Sequence, residues 1–208
     1  MDKSDNCIEL DFSSKVGVVN GLALSGTENT IINIEVNILE GKGTLELTGN
    51  LSDVFRESAK VALSCIRSLP EIKKLPDDYF EKHLIHINVP KLSEPKDGSD
   101  IGVAIAVALY YALLNREVDG TIALLGEITL KGNIIPIDGI TEKIKISKNA
   151  GIKKVLIPEN NRKEISNIDE NIRDGLEIVY VSRIEEVIEH SIIKRTFSLK
   201  KWFYESFN

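Results

Sequence analysis

The chain has 208 residues, and 26 basic against 32 acidic side chains give it a formal net charge of −6. A mildly acidic chain without a dense basic stripe is a poor candidate for binding nucleic acid, so we expect no nucleic-acid partner. Because 42% of the residues are hydrophobic and only two are cysteines, we expect one cored domain in a reduced, cytoplasmic protein.

The first part of the chain predicts a polar leader followed by strands. Residues 1–14 begin with MDKSD and lack the basic and apolar regions of a secretory signal. Residues 16–24 and 31–39 alternate apolar and polar side chains on either side of a turn, which predicts a β-hairpin. Residues 44–48 predict a third strand.

Two helices of different character come next. Residues 51–69 place apolar side chains at helical spacing along one face, which predicts an amphipathic helix. A short strand at residues 84–89 ends at Pro90. Residues 101–115 are apolar on nearly every side and predict a central helix that is packed all round. That run is too short to span a bilayer, so we expect no membrane association.

The last part of the chain alternates strands with helices. The pattern predicts strands at 122–130, 133–136, 155–157 and 178–181, and helices at 139–150 and 184–193. Together with the earlier elements, it predicts an α/β (α+β) domain with mixed sheets and packed helices over residues 15–193. Residues 194–208 form a basic and aromatic tail. We expect this tail to pack on the chain's own surface, and a docking segment for a partner is the alternative.

Several motifs, in the same order, resemble the proteolytic domain of Lon proteases. They are GKGTLELTGNL at 41–51, HINVP at 86–90, PKDG at 95–98, GEITLKG at 126–132, PIDGITEK at 136–143 and AGIK at 150–153. The resemblance runs from about residue 15 to about residue 193. It implies the fold of that domain, with a serine peptidase site built on a Ser–Lys dyad.

The resemblance places the dyad on two residues of this chain. The family's serine stands in Asp-Gly-Pro-Ser-Ala-Gly and falls on Asp100, while its lysine ends Gly-Gly-Leu-Lys-Glu-Lys and falls on Lys143. The separation of the two positions agrees with the family without a gap. Ser99 and Ile101 replace the proline and the alanine of the first motif. Leu125 stands where family members typically have a threonine.

An acid at the serine position removes what the dyad chemistry needs. The dyad works when a neutral lysine amine lies within hydrogen-bond reach of a hydroxyl. A carboxylate is a poor nucleophile towards peptides, and its charge favours the protonated amine. We therefore expect Asp100 and Lys143 to form a structural pair, with Asp100 also suited to capping the helix that follows. The resulting hypothesis is a pseudoprotease that serves in binding or assembly.

Two alternatives stay open at this point. In the first, Ser99 faces Lys143, oriented by Asp97 or Asp100, and the protein is an active ATP-independent serine endopeptidase. In the second, the chain is a partner subunit of an ATP-dependent protease. Glu127 either lies near the lysine or is a strand-end carboxylate that pairs with a base elsewhere.

The expected partners follow from the same resemblance. Domains of this family associate in rings beside an ATPase, which implies a homo-oligomer. This sequence has no ATPase motif, so we expect the ATPase to be a separate protein. No cofactor is expected. The three histidines, His83, His86 and His190, lack the spacing and the additional ligands of a metal site, so no metal is expected either.

Overall fold

A computed structural model describes residues 12–26 and 28–193 of the chain. Most of the polar leader and all of the aromatic tail lie outside these residues, so the interpretation of the tail remains a prediction. The strands are β1 (Lys15–Val16), β2 (Val18–Ser25), β3 (Glu28–Glu40), β4 (Leu45–Thr48), β5 (His83–Asn88), β6 (Lys96–Asp97), β7 (Glu117–Val118), β8 (Ile122–Leu124), β9 (Glu127–Ile128), β10 (Ile134–Ile135), β11 (Lys154–Pro158) and β12 (Glu177–Val181).

The helices account for the rest of the regular structure. They are α1 (Asp53–Arg67), α2 (Tyr79–Lys82), α3 (Gly102–Leu113), α4 (Ile140–Asn149), α5 (Arg162–Ser166), α6 (Glu170–Arg173) and α7 (Ile184–Ser191), with 3-10 turns at Ile72–Lys74 and Glu159–Asn161. The mixed α/β architecture predicted from the sequence is confirmed. None of the helices in the described ranges is both long and apolar enough to cross a membrane.

One large mixed sheet organises the domain. Its strand order is β12-β11-β8-β2-β3-β5-β4, and β6 also pairs with β2. The predicted hairpin is the antiparallel pair β2–β3. The strands β2, β8, β11 and β12 run parallel to one another. Two small antiparallel sheets, β1–β7 and β9–β10, lie apart from this main sheet.

Two hydrophobic clusters hold helices against the sheet. The larger cluster joins α1, α3 and α7 to the sheet, and the smaller one joins α4 and α5 to it. The prediction of a central helix packed all round is confirmed, because eleven of the twelve residues of α3 are buried. Such a helix is apolar on every side, since each side contacts protein rather than water.

The structure corrects one predicted strand close to the site. Residues 122–130 were expected to form a single strand, but the chain leaves the sheet after β8 and resumes as β9 in a different sheet. The break lies at Gly126, whose φ of 141° is rarely accessible to residues with a side chain. A Cβ at Gly126 would also lie 2.9 Å from Cγ2 of Ile134. The glycine therefore permits both the bend and the close packing there.

Candidate active site

Lys143 and Asp100 form an ion pair between α4 and the loop that precedes α3. The Nζ of Lys143 donates hydrogen bonds to Oδ2 of Asp100 and, at 2.9 Å, to the backbone carbonyl of Asp138. The Lys143 side chain is 6% exposed and that of Asp100 is 24% exposed. The expected contact between these two residues is confirmed, and the pair is largely shielded from water.

Backbone hydrogen bonds fix the position of Asp100. Its carbonyl accepts from the N–H of Gly126 at 2.8 Å, and the carbonyl of Gly126 accepts from the N–H of Val103 at 3.0 Å. Gly102, the first residue of α3, lies so close to β9 that an added Cβ would be 3.1 Å from the backbone nitrogen of Ile128. The bend between β8 and β9 thus fixes the loop that precedes α3, with Asp100 positioned next to Lys143.

The prediction that Asp100 caps the helix is wrong. The helix α3 begins at Gly102, its N-cap position is Ile101, and no side chain caps it. Asp100 lies one residue too early for this role, and its carboxylate is engaged by Lys143 instead. The hydrogen bonds from the N–H groups of Gly102 and Val103 to the carbonyls of Ser99 and Gly126 take the place of a side-chain cap.

Ser99 lies beside an open groove rather than against Lys143. The groove has a volume of about 160 Å³, and Ser99 lines it together with Val54 and Val61 of α1 and Ile128 of β9. Within the described part of the chain, Ser99 makes no hydrogen bond with Lys143. The arrangement required by the alternative Ser99–Lys143 dyad is therefore not present in this conformation.

Asp97 is engaged by the start of α1. Its Oδ1 accepts hydrogen bonds from the Ser52 hydroxyl at 2.5 Å and from the N–H of Gly98 at 2.8 Å. Ser52 is also the N-cap of α1, and its Oγ accepts from the N–H of Phe55 at 3.1 Å. Asp97 thus connects the site loop to α1, and these contacts do not direct it to Ser99.

Glu127 lies on the groove beside Ser99. It belongs to β9, where it pairs with Ile135 of β10. Among residues 12–26 and 28–193, no ion pair joins Glu127 to Lys143, and no three His, Cys, Asp or Glu side chains come together in a way that could hold a metal ion. Apart from Asp97, the site residues therefore separate into two groups, the Asp100–Lys143 pair and the groove with Ser99 and Glu127.

Comparison with known proteins identifies the family. Residues 6–194 match the profile of the Lon protease (S16) C-terminal proteolytic domain. The chain belongs to this family. It is 44% identical over 179 residues to the Lon protease of Lachnoclostridium phytofermentans, a match that covers 86% of this chain and 22% of that protein.

Other Lon proteases give similar values. The identity is 41% over 185 residues with Lon protease 1 of Bacillus subtilis, covering 89% of this chain and 24% of the relative. It is 39% over 184 residues with the Lon protease of Clostridioides difficile, covering 88% and 23%. The chain thus spans less than a quarter of the length of these curated relatives, and it corresponds to their proteolytic domain.

Sequence reasoning missed a buried lysine next to the site loop of this Lon-type domain. Lys96 precedes Asp97 and is 1% exposed. Its Nζ donates to the carbonyls of Gly49 at 3.1 Å, of Glu94 at 2.8 Å and of Lys91. Burial lowers the pKa of Lys96. A lysine among turn-forming residues is expected to be exposed, and no sequence pattern indicated that backbone carbonyls surround it.

Sequence reasoning also missed the α1 wall of the groove. Val54 and Val61 belong to the apolar face of the helix predicted at residues 51–69, although Val54 is 48% exposed. Glu57 and Ser58, from the same helix, line the groove as well. Periodicity alone could not indicate these residues, because the groove exists only where β9 returns alongside α1.

Proposed function

We propose that this Lon-type domain is a pseudoprotease that binds unfolded polypeptide without cleaving it. One observation carries the proposal: the Nζ of Lys143 is engaged by the carboxylate of Asp100 and the carbonyl of Asp138. The resemblance places Asp100 where the family has its serine. The amine that would activate a nucleophile thus contacts an acid that offers no hydroxyl.

The chemistry of the pair argues against peptide hydrolysis. Acyl transfer by a Ser–Lys dyad begins when the amine takes the hydroxyl proton, and Asp100 has no such proton to give. A carboxylate that attacked a peptide carbonyl would form a mixed anhydride only by breaking the C–N bond and expelling the amine, which is a far poorer leaving group than the carboxylate itself. The proposed role therefore depends on the groove beside Ser99, which could hold a polypeptide segment without covalent chemistry. For the whole protein, we further propose self-association and a separate ATPase partner in the cytoplasm.

The alternative is an active peptidase that uses Ser99. Its support is that Ser99 lines the groove where a bound chain would lie. It requires Lys143 to leave Asp100 and the loop to shift by one residue. The hydrogen bonds that join Asp100, Gly126 and Val103 oppose such a shift. We therefore favour binding without cleavage.

A casein assay tests the proposal. Fluorescein-labelled, unfolded casein is incubated with the pure chain, binding is followed by fluorescence anisotropy, and the same samples are run on denaturing gels. We expect saturable binding of casein that stays intact. Casein that is cut, with loss of cutting in Ser99→Ala, would establish the peptidase instead. Casein that is neither bound nor cut would overturn the binding role.

Two serines of α1 provide a matched pair of variants for the same assay. Ser58 lines the groove, whereas Ser64 is exposed and its hydroxyl donates to the carbonyl of Lys60. Tryptophan at position 58 would fill the groove, so Ser58→Trp is expected to weaken casein binding. Ser64→Trp adds the same bulk elsewhere on the helix and should bind as the wild type does. Equal binding by both variants would place the casein site elsewhere.

A further inference from the structure

The groove beside Ser99 combines apolar walls with two carboxylates. Val54, Val61 and Ile128 supply the apolar surface, and Glu57 and Glu127 supply two acids. Pockets for whole small-molecule ligands typically enclose about 300–1,000 Å³. At about 160 Å³, this groove is too small for such a ligand and suits a single side chain of a bound polypeptide.

In residues 12–26 and 28–193, no ion pair involves Glu57 or Glu127. Arg56, the neighbour of Glu57 on α1, directs its guanidinium to the carbonyls of Leu51 and Leu47 at 3.2 and 3.4 Å. The guanidinium of Arg56 is thus engaged elsewhere, and within the described ranges no basic side chain is paired with these two carboxylates.

Apolar walls next to carboxylates complement the two parts of a basic side chain. Lysine and arginine carry an aliphatic stem that packs on apolar surface and a charged end that seeks acceptors. The guanidinium presents five donors in a rigid fork, so it can bond a carboxylate with two hydrogen bonds and still reach a hydroxyl. Ser58 and Ser99 supply hydroxyls in the same groove.

We propose that this groove selects a basic side chain, arginine before lysine, from the polypeptide that the domain binds. The inference rests on the proposed function, because it names the class of segment held there. A purely apolar side chain would satisfy the three apolar residues but would desolvate two carboxylates without compensation. The net charge of −6 also favours the approach of basic segments.

A small probe tests this selectivity independently of polypeptide binding. N-acetyl-arginine amide is titrated into the full chain, and methyl NMR signals of Val54, Val61 and Ile128 are followed. N-acetyl-citrulline amide has nearly the same shape without the charge, and N-acetyl-leucine amide is the apolar comparison. We expect the arginine probe to shift these methyl signals saturably, with an affinity about 5-fold or more above that of either comparison.

Charge-removing variants locate the interaction. The double variant with Glu57→Gln and Glu127→Gln should lower the affinity for the arginine probe about 5-fold or more. Glu46→Gln, at an exposed position on β4, is the matched control and should leave the affinity unchanged. The inference is overturned if the leucine probe binds as tightly, if the double variant binds arginine normally, or if no probe shifts these signals.

The probe and casein assays can fail separately. If the groove prefers the leucine probe but the chain still binds casein without cutting it, the selectivity is wrong and the pseudoprotease proposal holds. If the groove prefers the arginine probe but the chain cuts casein, the pseudoprotease proposal is wrong. The groove is then a specificity pocket of an active enzyme.

Discussion

The ammonium of Lys143 contacts the carboxylate of Asp100 although 43 positions separate the two residues in the sequence. One residue comes from the first turn of α4, and the other from the loop that β8, β9 and α3 hold in place. Both side chains are largely buried, so neither charge is well hydrated on its own. The pair thus couples two elements of the domain at the two positions to which the resemblance assigns the family's dyad.

Removing one member of the pair should destabilise the fold. Lys143→Met leaves a partly buried carboxylate without a partner. We expect the free energy of unfolding to fall by about 1–3 kcal/mol, less than for a fully buried pair, because Asp100 is 24% exposed. Urea denaturation measures the change, and Lys145→Met, at an exposed position on the same helix, is the control.

A double-mutant cycle isolates the interaction itself. Lys143→Met, Asp100→Ala and the combined variant should show a coupling energy of about 1 kcal/mol or more. Effects that add within about 0.5 kcal/mol would mean that the contact contributes nothing to stability.

Restoring a hydroxyl tests whether the scaffold around the pair remains competent. In Asp100→Ser the Nζ of Lys143 loses its acidic partner, and we expect the new serine Oγ to lie within its reach. We expect this variant to become labelled by a fluorophosphonate probe, whereas the wild-type chain is not. Adding Lys143→Met should abolish the labelling, because the base is then missing. Labelling that survives the loss of Lys143 would show that the lysine does not activate the new serine.

Lys96 should contribute to stability in a pH-dependent way. Lys96→Met leaves three backbone carbonyls without their donor, and we expect a loss of about 2–4 kcal/mol at neutral pH. Burial lowers the pKa of Lys96 below its ordinary 10.5, so the unfolded chain holds this proton more tightly than the folded one. The wild type should therefore gain stability over the variant as the pH rises from the lowered pKa towards 10.5.

Urea denaturation across this pH range provides the measurement for Lys96. The control is Lys91→Met in the same loop, since the Lys91 side chain is 42% exposed and lies 4.0 Å from Glu94. Its effect should stay within about 0.5 kcal/mol. A difference between the wild type and Lys96→Met that shrinks towards pH 10.5 would contradict the expectation.

The stabilising effect of Tyr111 should be lost at alkaline pH. Its hydroxyl donates to the carbonyl of Ile188 at 2.7 Å and so joins α3 to α7, and burial raises its pKa from 10.0 to about 12. Tyr111→Phe is expected to cost about 1 kcal/mol at neutral pH. A raised pKa gives stability that is present below pH 10 and lost as the pH rises to about 12. The advantage of the wild type should thus disappear over that range in chemical denaturation, and an advantage that persists at pH 12 would contradict this.

The sequence predicted those parts of the fold that depend on local pattern. The all-round apolar character of residues 101–115 predicted the buried helix α3, and alternation predicted the hairpin β2–β3. The local pattern wrongly predicted a single strand at residues 122–130. The chain bends there because of the backbone conformation of Gly126 and its hydrogen bonds with Asp100 and Val103. Bonds between distant segments leave no periodic signal.

The candidate site was predictable only as far as the motifs reached. The motif positions brought Asp100 and Lys143 together correctly, yet they gave no direction for either side chain. Asp100 was expected to cap α3, and the capping rule failed because α3 begins two residues later. Glu57 and Lys96 were missed since burial and groove lining depend on which elements pack together.

Turnover of unfolded casein by the pure wild-type chain tests whether an amine–hydroxyl pair operates in this domain. We expect casein to remain intact at every time point, as it should with Ser99→Ala and Lys143→Met. Degradation by the wild type that disappears in either of these two variants alone would contradict it.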